Sequence, residues 1–288
     1  NEIDDELEIE QISDEEAYPF ITWVGEEVDE AYYKAVMGIE INPGLDKSDF
    51  KIVYSPQHGA DNIPVRTCLK RLGYDIVPVL AQCAPDPDYT NTKSPNPEVD
   101  ASYELAIKLA KEVDADVVAI TDPDGDRLGV VAKHNGEYVL MSGNQSAAVY
   151  LEYILSQRKE KGTLPDNAVM YNTIVTSDLG ELVARNYGVD VEKTLTGFKF
   201  IGDKIRKYEK THEKQFIFGY EESYGCVVED FVRDKDAVQA VLLAAECGNY
   251  YKKQGKDLID VLNELYAKYG TFKESQIALA KAGAAGAA

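Results

Sequence analysis

Residues 116–127 read Asp-Val-Val-Ala-Ile-Thr-Asp-Pro-Asp-Gly-Asp-Arg. Residues 116–120 form a short run rich in β-branched apolar side chains, which predicts a buried β-strand. That strand leads directly into a Pro/Gly turn with carboxylates at alternate positions, Asp122, Asp124 and Asp126. Because open α/β sheets bind ligands beyond the carboxyl ends of their strands, the stretch predicts an α/β sheet with a polar site at its edge.

The three carboxylates of this turn repel one another unless a cation lies between them. Oxygen ligands suit hard divalent cations, so we expect the turn to bind Mg²⁺, with Arg127 beside it as a bidentate partner for phosphoryl oxygens. A calcium-binding EF-hand loop would need Gly at its sixth position and Glu at its twelfth. This chain has Arg127 and Lys133 there. A solvated acidic turn is the alternative that the residues alone leave open.

Helix and strand patterns alternate on both sides of this stretch. Asn96 and Pro97 fit the cap and the first residue of a helix before the 116–120 strand. We predict an α/β fold of two successive three-layer α/β/α domains with mixed sheets, at residues 1–138 and 139–279, with a tail at 280–288. The remaining predicted helices are 23–37, 61–72, 143–160, 178–187, 201–209, 235–254 and 257–268, and the remaining strands are 51–54, 75–80, 128–132, 138–141, 168–171, 190–194 and 215–218.

Composition describes an ordinary globular chain of 288 residues, 44% hydrophobic and 28% charged, with a net charge of −21. Residues 1–30 hold 13 acids and no Lys or Arg, so most of the negative charge belongs to this segment. The absence of a basic stripe argues against nucleic-acid binding, and no apolar run has the length of a membrane span. Four cysteines without a CxxC pair are typical of free thiols in the cytoplasm, where we expect the protein.

A second polar loop follows the predicted strand 215–218. Residues 219–225 read Gly-Tyr-Glu-Glu-Ser-Tyr-Gly, and the flanking glycines let Glu221 and Ser223 project into a cleft where they could meet sugar hydroxyls. An exposed acidic turn is the alternative. Lys199 could bind a substrate phosphate or could be a surface lysine. For His58, the alternatives are a hydrogen bond that caps the backbone and a role in catalysis.

Together these motifs resemble those of the α-D-phosphohexomutases, the family that includes phosphoglucomutase and phosphomannomutase. Residues 122–127 match that family's magnesium loop along its whole length, and residues 219–225 match its Gly-x-Glu-x-Ser sugar loop. Supporting matches occur in family order at residues 54–59, 93–98 and 194–200, so the resemblance covers roughly residues 18–279.

The resemblance implies an enzyme that interconverts hexose 1-phosphate and hexose 6-phosphate through a phosphoserine and a bisphosphorylated sugar. It implies a catalytic Arg127 and Lys199. The metal ligands would be Asp122, Asp124 and Asp126, and the substrate-binding residues Glu221, Ser223, Thr196 and Gly197.

Family members have four domains, and this chain resembles the second and third. The family's phosphoserine sequence, Thr-x-Ser-His-Asn-Pro, and its phosphate loop, Arg-x-Ser-Gly-Thr-Glu-Pro, do not occur here. With Asn1 and an Ala/Gly-rich end, this leads us to expect an inactive piece of a longer parent enzyme, with the first and fourth domains and a sugar phosphate as partners. Phosphopentomutase, phosphomannomutase and a non-catalytic cation or sugar-phosphate binding module are the alternatives.

Overall fold

The computed structural model describes residue 7 and residues 9–275. The tail expected at 280–288 lies outside these residues. The first sheet has the order β2-β1-β3-β4-β5. Strands β2, β1 and β3 are parallel to one another, whereas β4 is antiparallel to both of its neighbours, β3 and β5. Its strands are β1 (Lys51–Ser55), β2 (Asp75–Pro78), β3 (Val117–Thr121), β4 (Leu128–His134) and β5 (Glu137–Met141).

The second sheet has the order β7-β6-β8-β9, with β9 antiparallel to β8 and the other pairs parallel. Its strands are β6 (Ala168–Thr173), β7 (Asp190–Thr194), β8 (Gln215–Tyr220) and β9 (Cys226–Val227). The short strand β9 was not predicted, because two residues are too few to show an alternating pattern.

Helices cover both faces of each sheet. The α-helices of the described residues are α1 (Asp14–Ala17), α2 (Glu26–Met37), α3 (Asn62–Leu72), α4 (Glu104–Val113), α5 (Gly143–Glu160), α6 (Leu179–Asn186), α7 (Phe198–Thr211), α8 (Ala237–Lys252) and α9 (Leu258–Tyr269). The short helix α1 buries none of its residues. None of the helices in the described part of the chain has the length and apolarity needed to cross a bilayer.

Strand periodicity explains the layers. Val118 of β3 lies in a core cluster with Ala106 of α4, while the next residue, Ala119, lies in the other cluster with Val241 of α8. Successive side chains of a strand point to opposite faces, so β3 is buried on both sides and reads as a continuous apolar run. The second sheet is covered in the same way, with α7 on one face and α5 and α6 on the other. The predicted fold of two three-layer α/β/α domains with mixed sheets is confirmed.

Helix α8 follows the second sheet in sequence but packs against β3 and β4 of the first. The carboxylate of Glu246 in α8 also accepts the backbone N–H groups of Ile41 and Asn42. One continuous apolar core therefore joins the two sheets. The domain bounds predicted from sequence, 1–138 and 139–279, stay a prediction.

The starts of three helices differ from the predictions by three residues or more. Helix α2 begins at Glu26 instead of residue 23, and α7 begins at Phe198 instead of residue 201. Helix α4 begins at Glu104 after a 3₁₀ turn at Asp100–Tyr103, and not at Pro97. The Asn96 side chain accepts the backbone N–H of Glu98 and also an N–H of Arg127, so it closes a turn and holds the arginine. A polar residue that suits a cap can bind elsewhere when tertiary contacts compete.

Candidate active site

The acidic turn connects β3 to β4 at the carboxyl edge of the first sheet. One carboxylate oxygen from each of Asp122, Asp124 and Asp126 lies within 4.8 Å of the other two. The turn is closed by the Gly125 N–H, which donates to the Asp122 carbonyl, and Gly125 adopts a φ of +73° that favours glycine. Asp122 is buried and Asp124 is exposed, so the group opens toward solvent on one side.

The electrostatics of this turn suit a cation. Burial raises the pKa of Asp122 to about 6, against the opposing effect of its hydrogen bonds with Arg127. The charged form of a buried carboxyl group loses hydration, and a bound cation would offset that cost. An all-oxygen donor set of this kind fits Mg²⁺ or Ca²⁺ better than a softer metal.

Arg127 is held in place by three acceptors. Its Nε donates to Asp122 Oδ2 at 2.6 Å, and its Nη1 lies 3.0 Å from both Asn96 Oδ1 and Glu98 Oε1. Its Nη2 makes no hydrogen bond to any residue in the described part of the chain. The guanidinium is thus oriented by the protein and keeps one donor group for a ligand.

The loop that follows β1 packs directly against the acidic turn. A Cβ atom built on Gly59 would lie 2.5 Å from the Cα of Pro123, and the N–H of Ala60 donates to the Pro123 carbonyl at 3.0 Å. The side-chain carboxylate of Asp61 lies directly against Gly125. These backbone and side-chain contacts fix the turn relative to the start of α3.

The second polar loop begins where β8 ends. Glu221 is buried, and its Oε1 accepts the backbone N–H of Gly197 at 2.8 Å. Glu222 accepts the hydroxyl of Thr173 at the end of β6. The carboxyl ends of β6, β7 and β8 therefore meet at one edge, as expected for parallel strands.

The two polar loops touch. The N–H of Leu128, directly after the acidic turn, donates to the carbonyl of Tyr224 at 3.0 Å. The N–H of Ala237 donates to the carbonyl of Gly125 at the same distance. The acidic turn of the first sheet and the Glu221 loop of the second thus form one continuous surface.

Lys235 lies between the two loops, and sequence reasoning missed it. Its Nζ is 2.7 Å from Asp126 Oδ2 and 3.9 Å from Glu221 Oε2. Burial opposes its charge, but the hydrogen bond with Asp126 raises the pKa of Lys235, so it is a cation. In the sequence, Lys235 lies between two aspartates directly before a helix. That pattern is too common in proteins to identify a functional lysine.

A cavity of ≈ 750 Å³ opens between the acidic turn and α7. Gly125 and Lys235 line one side, and Lys199 lines another. Lys199 is exposed, and its Nζ lies 5.1 Å from the centroid of the Phe200 ring. The structure thus brings Lys199 to the same cavity as the turn without a direct contact to it.

The remaining candidate residues from the sequence make few contacts with the rest of the site. Thr196 is exposed in the loop before α7, and Ser223 is half-buried. Neither side chain has a hydrogen-bond partner among the described residues. The Nδ1 of His58 lies 2.7 Å from the carbonyl oxygen of Ala84, while its Nε2 is buried without a partner in that same part of the chain, so the role of His58 stays open.

His134, Asp257 and Asp260 also lie close enough together to hold a metal ion, but helix capping explains why they are close. Asp257 Oδ1 accepts the N–H groups of Ile259 and Asp260 as the cap of α9, and its Oδ2 lies 2.8 Å from His134 Nδ1. These contacts use the carboxylate to begin a helix and tie it to β4.

Two family models match the chain. The model described as phosphoglucomutase/phosphomannomutase, alpha/beta/alpha domain II, matches residues 30–136, and the model for alpha/beta/alpha domain III of the same family matches residues 142–269.

Curated relatives agree with these matches. A phosphoglucomutase of Staphylococcus epidermidis is 37% identical over 253 residues, which are 87% of this chain and 45% of the relative. A phosphomannomutase of Mycoplasmoides pirum is 34% identical over 260 residues, which are 89% of this chain and 47% of the relative. The chain thus spans less than half the length of these two proteins.

Solved structures show the same fold. A putative phosphomannomutase from Thermus thermophilus superposes with a TM-score of 0.64 at 21% identity, over 82% of this chain and 50% of that one. The phosphoglucomutase parafusin from Paramecium gives a TM-score of 0.64 at 18% identity, over 85% of this chain and 42% of that one.

Proposed function

The chain belongs to the phosphoglucomutase/phosphomannomutase family of α-D-phosphohexomutases, and we propose that it supplies the metal-binding and sugar-binding parts of an enzyme that interconverts hexose 1-phosphate and hexose 6-phosphate. The observation that carries this proposal is the contact between the two polar loops through Lys235. Because the chain spans less than half of its relatives, the activity is proposed for a parent enzyme that also contains the other family domains.

Asp122, Asp124 and Asp126 are the proposed ligands of Mg²⁺. Their converging oxygens and the raised pKa of Asp122 support this assignment. When bound, the cation supplies positive charge that stabilises a phosphoryl group. The protein contributes a rigid turn, held by Gly59 and Asp61, that keeps the three carboxylates in position before any ligand arrives.

Arg127 and Lys199 are the proposed phosphate-binding side chains of the catalytic machinery. Arg127 is oriented by Asp122 and Asn96 and can offer its Nη2 to a phosphoryl oxygen. Lys199 would neutralise charge from the other side of the cavity. Phosphoryl transfer is accelerated mainly by such preorganised charges, because little else is required of the protein beyond the nucleophile.

Glu221, Ser223, Thr196 and Gly197 are the proposed sugar contacts. Glu221 already accepts the Gly197 N–H, which fixes one carboxylate oxygen and leaves the other near Lys235. Ser223 and Thr196 have free hydroxyls that can donate to or accept from a sugar. A non-reacting hydroxyl held in this way aligns the reacting oxygen with the phosphoryl group.

In the proposed reaction the phosphoryl group moves from a serine of the parent enzyme to the sugar, and back from the other end of the bisphosphorylated sugar. The family's phosphoserine sequence does not occur in these 288 residues. We therefore expect the chain alone to bind ligands without turning over.

Glucose phosphate is the proposed substrate. The loop with Tyr220, Tyr224 and two glutamates differs from the Gly-Glu-Met-Ser-Gly-His form of phosphomannomutases. Mannose and pentose phosphates are the competing substrates. A cytoplasmic location and the absence of nucleic-acid and membrane partners stay predictions.

A steady-state assay of glucose 1-phosphate conversion tests the proposal. The parent enzyme with Mg²⁺ should form glucose 6-phosphate, whereas the 288-residue chain should not. Replacing Arg127 by Ala in the parent should lower kcat and kcat/KM together, because its charge acts mainly on the transferred group. A parent enzyme that binds sugar phosphate without any turnover would indicate a non-catalytic binding module instead.

A further inference from the structure

Residues 21–25, Ile-Thr-Trp-Val-Gly, form an extended segment between the 3₁₀ turn at Tyr18–Phe20 and helix α2. Ile21 has φ −96° and ψ 122°, and Gly25 has φ −111° and ψ −160°, so both ends have strand conformation. Within residues 9–275 this segment pairs with no strand, and the N–H groups of residues 22–25 donate to no other group there. The segment is thus extended at both ends and has no hydrogen-bonded neighbour in that part of the chain.

Its side chains are those of a strand that is buried on both faces. Trp23 is 83% exposed and its neighbour Val24 is 73% exposed. Phe20 and Tyr18 extend the apolar surface toward the N-terminus, and both are exposed. A folded domain rarely exposes so many large apolar groups together, and an unpaired strand of this composition is a template for pairing.

We infer that residues 21–25 add a strand to the sheet of another domain of the parent enzyme, the first domain of the family. This inference rests on the proposed function, since only the parent enzyme contains that domain. The segment lies outside both matched family domains, at 30–136 and 142–269. The relatives are more than twice as long as the matched region, so they contain further sequence in which a receiving domain can lie.

Charge favours another domain over a second copy of this chain. Residues 1–30 carry 13 acids and no Lys or Arg. Two copies paired through this segment would bring like charges together, which disfavours the pairing. A receiving sheet edge with Lys or Arg around an apolar groove would instead be complementary.

Strand addition predicts a specific hydrogen-bond pattern. Along a strand, alternate N–H groups point to the same side. An edge strand would protect either Thr22 and Val24 or Trp23 and Gly25, whereas a central strand would protect both pairs. A loop covered only by side chains would show neither pattern.

Hydrogen exchange measured residue by residue tests the inference. In the parent enzyme, at least one alternate pair of these amides, either Thr22 and Val24 or Trp23 and Gly25, should exchange about 100-fold more slowly than in the 288-residue chain, at every protein concentration. Trp23→Ser should reduce this protection in the parent enzyme. The matched control is Leu80→Ser, since Leu80 is also exposed, at 74%, but lies outside the segment.

Unprotected amides in the parent enzyme would overturn the inference. Protection in the 288-residue chain alone, rising with its concentration, would assign the strand to a second copy and would also overturn it. Mutase activity measured on the same parent sample separates the two proposals: an inactive enzyme with protected amides defeats the proposed function and leaves the strand assignment intact.

Discussion

Lys235 forms an ion pair with Asp126, with Nζ 2.7 Å from Oδ2, and so connects the segment between β9 and α8 to the acidic turn. The same ammonium lies 3.9 Å from Glu221. Gly225 permits this approach, because a Cβ atom there would be 2.1 Å from the Cδ of Lys235. One cation thus couples the proposed metal loop to the proposed sugar loop.

Replacing Lys235 by Met should lower kcat/KM of the parent enzyme by about 100-fold, because a preorganised charge between the loops is lost. The steady-state assay with glucose 1-phosphate measures this loss. Lys207→Met is the control, since Lys207 is exposed on α7 and does not line the cavity. Equal activity of Lys235→Met and the control would remove Lys235 from the site.

Replacing Gly59 by Ala should lower the free energy of unfolding by about 2 kcal/mol and weaken Mg²⁺ binding. The added Cβ would meet backbone atoms of Pro123 and Pro56, which cannot move as a side-chain tip can. Gly44→Ala is the control, because nothing lies within 4 Å of a Cβ at Gly44. Urea unfolding and calorimetry measure the two effects, and wild-type values for both would refute the supporting role of this loop.

Replacing Asp61 by Asn should change how stability depends on pH. Burial, followed by the charge of Asp236, raises the pKa of Asp61 to about 7. The folded state then holds this proton more tightly than the unfolded state, whose carboxyl has a pKa of about 4. Asp61 therefore lowers the free energy of unfolding as pH rises from about 4 to about 7.

The Asp61→Asn chain should lack this loss and exceed wild type by about 4 kcal/mol near pH 8, with little difference near pH 4. Urea unfolding in EDTA gives both values. Asp166→Asn, at an exposed position, should follow wild type throughout. A constant difference between Asp61→Asn and wild type across this range would show that Asp61 has an ordinary pKa.

Replacing Asp124 by Asn should lower Mg²⁺ affinity of the chain at least about 10-fold without a change in fold, since Asp124 is an exposed member of the turn. Calorimetric titration with MgCl₂ measures the affinity, and Asp166→Asn serves again as control. Equal affinities in Asp124→Asn and wild type would exclude the turn as the metal site.

The sequence predicted the acidic turn and the Glu221 loop because each follows a strand with a clear apolar pattern. It could not predict their contact, which depends on α8 returning to the first sheet and on the short strand β9. Lys235 was missed for this reason. Asn96 was predicted to begin a helix, yet its side chain binds Arg127, a partner 31 positions away that local propensity cannot reveal.

The central claim, that the acidic turn and the Glu221 loop form one sugar-phosphate site, is tested most directly by an NMR titration of the 288-residue chain. With Mg²⁺ present, glucose 1-phosphate should shift the amide signals of Asp122, residues 124–127, residues 219–225 and Lys235 along one binding curve with a single Kd. Shifts confined to one loop, or two loops that follow different binding curves, would contradict the account.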